Sequence, residues 1–495
     1  MTYLQSPQKT ETVAVVWLKR DLRLRDHEPL VKAAASGYPV LLLYIIEPML
    51  LDDPHYSARH WQFIRQSIED INTQLAPFKT HVQVICDDAT KALQRLSQKL
   101  TIHGLYSHQE IGLANTYERD RHIRQWCDHE HIAWYESATG AVIRGLCHRR
   151  QWSTHWERVY RRRCYDVALE TIKWAPALPH SDLSKLNAPE NPHIQPGGEK
   201  RGWYTLKHFF EGRGLHYHRQ LSAPATARTA CSRISPYLAF GNLSVRQVYQ
   251  YCQFQVQQEP QWRKPVRALS ARLAWHDHFV QKFESEPDMQ FRPVNQGYSH
   301  FDYAHGPWSQ YAYFRWYTGT TGLPLVDACM RALNKTGYLN FRMRAMVTSV
   351  ACHWLNLDWR RPAEYLASVF VDFEPGIHYA QIQMQAGITG TNTVRLYNPV
   401  KQSRELDPQG EFIYQWMPEL DRVPLEYLQA PWDIPPLTCQ LEAIDLPNQY
   451  HQPLIDITTQ GAALRDKLWS FRQRSDVQRE AKRILATHSM PQRQP

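Results

Sequence analysis

The chain has 495 residues, with 57 lysines and arginines against 48 aspartates and glutamates, a formal charge of +9. That length holds two or three domains with sizeable cores, and the mild basic excess is compatible with nucleic acid without requiring it. No apolar run approaches the ~18 residues of a membrane span, and the polar opening MTYLQSPQKTETV has no signal-peptide core.

The nine cysteines are odd in number and form no C-x-x-C pair. They read as reduced thiols of a cytoplasmic protein, not as a disulfide, zinc or iron–sulfur framework. Seventeen tryptophans and 26 tyrosines suit aromatic-lined cavities, stacking surfaces or electron hopping, besides core packing.

In chain order, five short apolar runs come first: 13–17, 39–48, 82–88, 102–110 and 131–137. Helix-like stretches such as SARHWQFIRQSIEDINTQLAPF and ATKALQRLSQKL separate them. The alternation predicts an α/β doubly wound parallel sheet, assigned to a domain over 1–137. Ligands of such sheets bind at the carboxyl ends of the strands, which puts Arg20, Asp21, Arg23 and Asp26 near that edge. No G-x-G-x-x-G follows the first strand. Residues 138–202 read as an interdomain connection. RVYRRRC within it is a solvated basic helix face or a phosphate contact, and 172–202 are rich in Pro, Asn and Gly. Three-to-four spacing then predicts an all-α C-terminal domain over 203–484, with 485–495 as a disordered tail.

Three segments carry chemistry. ACSRISPYLAFGNLS places Ser232, Arg233 and Ser235 before a helix, as a capping motif or an anion site. TGYLNFRMRAM brings Arg344, a chemical match for Asp372 in a buried ion pair. FVDFEPGIHYAQIQMQAG sets Asp372, Glu374 and His378 around a Pro-Gly turn, where acids also serve simply at a helix start.

The opening VAVVWLKRDLRLRDHEPL resembles the first strand and loop of photolyases and cryptochromes. So do CSRISPYLAFGNLS, TGTTGLPLVDACMRALNKTGYLNFRMR, the LDW of 357–359 and NPVKQSRELDPQGEFIYQWMPEL. The resemblance covers nearly the whole chain, in order. It implies an antenna domain, then a helical domain holding FAD, whose reduced form on blue light passes an electron to a pyrimidine dimer in DNA. By position, Tyr217, Ser232, Arg233, Ile234 and Ser235 match the FAD-phosphate segment, with Cys231 where a threonine is usual. Arg344 and Asp372 match the ion pair beside the isoalloxazine. Glu374 stands where an aspartate meets the flavin edge. His378 falls opposite flavin N5, to donate there, to titrate with redox state, or to stand as a neutral replacement for asparagine.

Trp316 and Trp359 match the distal and middle members of the photoreducing tryptophan chain. Its flavin-proximal member is Ile382 here, so Tyr379 or Trp354 would substitute. In the dimer pocket, Trp275 matches the tryptophan that stacks on the flipped-out lesion. Arg272 replaces a glutamate, His276-Asp277 an Arg-Glu pair, Asn340-Phe341 a His-Asn pair, and Met384 a tryptophan. SHQEIGLANTYERDRHI (107–123) resembles the lining of an antenna cleft for a folate or a deazaflavin. The resemblance thus implies a monomeric, FAD-dependent photolyase acting on UV-damaged DNA. The alternative is a cryptochrome-like photoreceptor, favoured by the altered pocket but lacking a long signalling extension.

Overall fold

The computed structural model describes residues 11–179 and 181–489. Most of the polar opening and the end of the expected tail, 490–495, lie outside the described residues. Five strands, β1 (Thr12–Leu18), β2 (Val40–Ile46), β3 (Gln83–Cys86), β4 (Thr101–His108) and β5 (Ala133–Ser137), form a parallel sheet in the order β3-β2-β1-β4-β5. β2 is buried along its whole length, as a run of seven apolar residues requires when both faces are covered. Alternate residues of β1 enter different cores. Val13, Val15 and Trp17 join the apolar faces of helices Ala89–Lys99 and Ala114–His129. Ala14, Val16 and Leu18 join helix Ala58–Leu75 and, beyond it, Tyr237 and Phe240 of the helical half.

The helices of the C-terminal half follow the apolar spacing. Val245–Gln258 starts at a capping box of Ser244 and Gln247, and Pro324–Thr336 starts on proline and ends at Gly337. Gly337 has φ +68°, and a Cβ there would lie 2.3 Å from Val371. Only glycine turns the chain so tightly towards Tyr338 and Arg344. Another core gathers Trp316, Leu333, Met346, Trp359 and Tyr379. No described helix is long and apolar enough to cross a membrane.

Two expectations need correction. The stretch 138–202 is not a plain connection. It contains the helix Trp152–Arg161, which buries Trp152, Trp156, Val159 and Tyr160. It also carries a bridge from Trp174 to Val40 of β2, and the next helix already begins at Glu199. Arg158, Arg161, Arg162 and Arg163 lie exposed, on the solvated side. The second correction is at the far end, where helix Ser475–His488 runs past residue 484 because Val477, Ala481 and Ile484 pack inward at helical spacing.

Candidate functional site

The segment Cys231–Ser235 sits in a basin of arginines. Arg233 adopts φ +61°, a left-handed conformation that few non-glycine residues take and that draws attention to a site. Its guanidinium lies 3.5 Å from the Tyr338 ring centroid and bonds the Gln195 side-chain oxygen at 3.0 Å. Arg213 donates to the carbonyls of Thr229, Cys231, Ser232 and Thr205. Arg228 lies over Tyr338 and Trp416, with a buried Nη1 that has no partner. Burial, then the neighbouring guanidiniums, pushes Arg213 and Arg228 down from the usual arginine range. None of the three has an ion pair among the described residues.

Next to the basin, Arg344 Nη2 pairs with Asp372 Oδ2 at 2.8 Å, with its guanidinium 4.0 Å from the Phe370 centroid. Burial alone pushes the Asp372 carboxyl up, but Arg344 and the Ser235 hydroxyl override that and hold it below the usual range. Asp372 Oδ1 is buried without a partner. Cations lacking an acid at one end, and a carboxylate oxygen lacking a donor at the other, suit a group with phosphates at one end and an N–H-bearing ring at the other. Ser232 and Ile234 contribute backbone here, Ile234 being buried core.

Glu374 does not face that basin. It is the N-cap residue of helix Pro375–Gln385 but makes no side-chain capping bond. Its carboxylate instead pairs with Arg20 at 3.1 Å, and Arg20 also takes the Phe373 carbonyl at 2.6 Å. Neither the flavin-edge contact nor simple capping describes it: the longer side chain reaches the loop after β1. His378 matches one of its expected alternatives, the neutral replacement for asparagine, and not the donor or the titrating group. Its Nε2–H is spent on the Ala363 carbonyl at 2.8 Å, and burial pushes its pKa down to about 3. The ring is neutral, with Nδ1 left as an acceptor, so it neither donates nor titrates near neutrality.

Trp359 is fully buried and meets the Tyr379 ring edge-on at 6.3 Å. Trp354 gives its indole N–H to the Tyr397 carbonyl. Of the two expected substitutes for the position of Ile382, Tyr379 alone makes a ring contact with Trp359 among the described residues. Trp316 is a poor distal member, being fully buried, bonded to the Val347 carbonyl and ringed by Tyr313 and Tyr365. Trp308 on the same helix, unremarked in the sequence, is 45% exposed.

On the open side, Trp275 is 44% exposed and stacks on Phe279. Arg272 lies against Tyr217 and over the exposed Phe341 ring, so these three expected residues do meet. Met384 is half-buried. Asn340 is different: it is buried, and its amide donates to the carbonyls of Leu221 and Ser222. Its donor is already spent, so the expected substrate contact is corrected to a loop clamp.

A separate solvent-open cleft lies where the strand order reverses between β1 and β4. The loop after β1 (Lys19, Arg20), the end of β4 and the loop after it (His108, Gln109, Glu110) and His276 of the helical half wall it, at the edge expected from the topology. Gly241 closes one side at φ +68°, where a Cβ would come within 2.3 Å of the Arg20 carbonyl. Sequence reading missed Arg213, Arg228 and Tyr338, although Tyr338 lies inside a quoted motif and Arg228 just before another. It also missed Asp53 and His55, which no motif marks.

Comparison with known proteins agrees with this architecture. Residues 14–149 match the DNA photolyase family model, and residues 269–470 match that of the FAD binding domain of DNA photolyase. Cryptochrome DASH of Synechocystis sp. is 27% identical over 480 residues, covering 89% of this chain and 95% of its own. The deoxyribodipyrimidine photo-lyase of Vibrio cholerae is 26% identical over 454 residues, covering 85% and 93%. The crystal structure of a Synechocystis cryptochrome superposes with a TM-score of 0.81 at 24% identity, covering 92% of this chain and 99% of that one.

Proposed function

Since the chain belongs to the DNA photolyase and cryptochrome family, we propose that it is a blue-light-driven DNA photolyase that splits UV-induced pyrimidine dimers. FAD bound in the basin would supply light absorption and a one-electron donor. The observation that carries the repair reading is Trp275, a large ring left 44% exposed beside Arg272. An open aromatic face suits stacking of an extruded base, and a neighbouring guanidinium suits a lesion carbonyl or phosphate.

The chain's residues divide the work. Arg213, Arg228 and Arg233 would neutralise the FAD phosphates. Ser235 and Arg344 hold Asp372, whose other oxygen would accept from the flavin ring, and Tyr217 lies against Arg272. His378 offers Nδ1 as an acceptor. Phe283 stacks on Tyr379 and, with Ile382, keeps water from it. Trp359 and Tyr379 are the route by which an electron enters from the chain. The sheet-edge cleft would be the place for a second chromophore, a folate or a deazaflavin, if one is bound.

A cryptochrome-like photoreceptor is the second reading, favoured by the spent Asn340 amide and the Phe341 ring where polar dimer contacts are expected. The test mixes reduced protein with UV-damaged single- and double-stranded oligonucleotides under blue light. Restored pyrimidine absorbance is the expected result. None on either substrate overturns the repair reading.

A further inference from the structure

We infer that Tyr379, His55 and Asp53 form a proton-coupled redox relay, in which His55 takes the phenolic proton when Tyr379 gives up an electron. The inference rests on the flavin reading above, because it names photoexcited oxidised flavin as the oxidant that takes the electron from Tyr379.

The geometry fixes each proton. Asp53 Oδ1 accepts from His55 Nδ1 at 2.6 Å and from the His55 backbone N–H at 2.9 Å. Its other oxygen accepts from Asn115 Nδ2 at 2.8 Å. A carboxylate so held is an acceptor, which places the imidazole proton on Nδ1 and leaves Nε2 bare. The Tyr379 hydroxyl donates to that Nε2. Tyr379 and His55 are 3% and 6% exposed, with Phe373 stacked on His55 and Phe283 on Tyr379. Water is kept from the phenol, so His55 is its proton acceptor. Trp359 has none, since its buried indole N–H lacks a partner.

The step balances. One electron passes from Tyr379 to the photoexcited flavin, with Trp359 behind it at 6.3 Å between ring centroids. The phenolic O–H breaks, its proton goes to His55 Nε2, and a neutral tyrosyl radical faces an imidazolium. Asp53 offsets the new positive charge through Nδ1–H. Return of one electron and of the same proton resets the chain. A proton parked on His55 would keep the electron from flowing straight back, which a partnerless Trp359 cannot do.

The test uses the flavin-loaded full chain. After a blue flash, electron paramagnetic resonance should show a tyrosyl radical in the wild type, formed more slowly in deuterium oxide. Tyr379→Phe should lose the signal. His55→Gln, which keeps a hydrogen-bonding amide but no base, should form it about a hundredfold more slowly, the lower end of what a positioned base contributes. Flavin content shows that each variant folds, and the isotope comparison needs no variant. Nitrogen NMR of labelled histidines in the dark should show His55 protonated at Nδ1 alone. An undiminished radical in His55→Gln, no isotope effect, or a proton on Nε2 would each overturn the relay while leaving flavin binding intact. Failure of the wild-type chain to bind flavin would instead overturn the flavin reading, and the relay with it.

Discussion

At the carboxyl edge of the sheet, Arg20, Arg119 and Arg246 each meet a carboxylate: Glu374, then Glu47, Glu110 and Asp120, then Asp26. In the basin around Cys231–Arg233, Arg213, Arg228 and Arg233 meet carbonyls, an amide oxygen, the His208 imidazole and aromatic faces, and no carboxylate among the described residues. A cation away from water needs compensation. Where the chain supplies it, the charge is tied into the fold, and at Arg20 and Arg246 it joins the two halves of the molecule; where it does not, an anion has a place. Arginine count alone distinguishes nothing between these regions. The partner set does.

Breaking the compensated region should have the largest effect. Arg119→Met leaves three carboxylates buried beside an apolar chain, and unfolding free energy should fall by about 3–5 kcal/mol, read by chemical denaturation. A loss well under this range would mean that the acids take up protons or water cheaply. The matching change in the open basin, Arg228→Met, removes a cation whose buried Nη1 is unpartnered. Stability of the flavin-free protein should hold or rise, while flavin affinity falls about tenfold, or ~1.4 kcal/mol, in a titration. Equal stability losses in the two variants would erase the contrast.

Acid sharpens it further. Burial pushes the Asp21 carboxyl up, but His27 and His108 facing it reverse this and hold it well below the usual aspartate range. A depressed folded pKa adds stability that is present above the unfolded value and lost as pH falls through the folded one. The contribution of Asp21 should therefore be fully present at neutral pH, begin to fall below about pH 4 and be gone only once pH has passed the depressed folded value. Asp21→Asn should flatten that acid limb in pH-dependent denaturation, whereas Arg228→Met should leave its slope unchanged.

The fold was legible because its signals are local. Runs such as VAVVW and PVLLLYIIEP carry strand burial in their composition, and the Ser244 capping box and Gly337 mark helix ends. Arg344–Asp372 was legible through chemical pairing and family position. Glu374 was not, because its partner Arg20 lies over 350 residues away on another layer and one methylene sends the carboxylate there. His55 and Asp53 lie in the loop DDPHY, an ordinary polar turn by sequence. Only the packing of that loop against helix Pro375–Gln385 makes it part of the site.

Asn340 gives the smallest effect and a test of how the open side is read. Its two amide bonds hold the carbonyls of Leu221 and Ser222 at 3.1 and 2.9 Å. Asn340→Ala should cost about 1–2 kcal/mol, the scale of two neutral hydrogen bonds, and leave affinity for UV-damaged DNA unchanged. Phe341→Ala should do the reverse, since that ring is 39% exposed and faces Arg272: little change in stability and weaker binding of the damaged strand, read by fluorescence anisotropy. If Asn340→Ala weakened binding more than Phe341→Ala, the amide would have to leave its carbonyls when DNA arrives. The loop at 221–222 would then be a moving part of the DNA surface, and the open side, unlike the cross-braced sheet edge, would be built to rearrange.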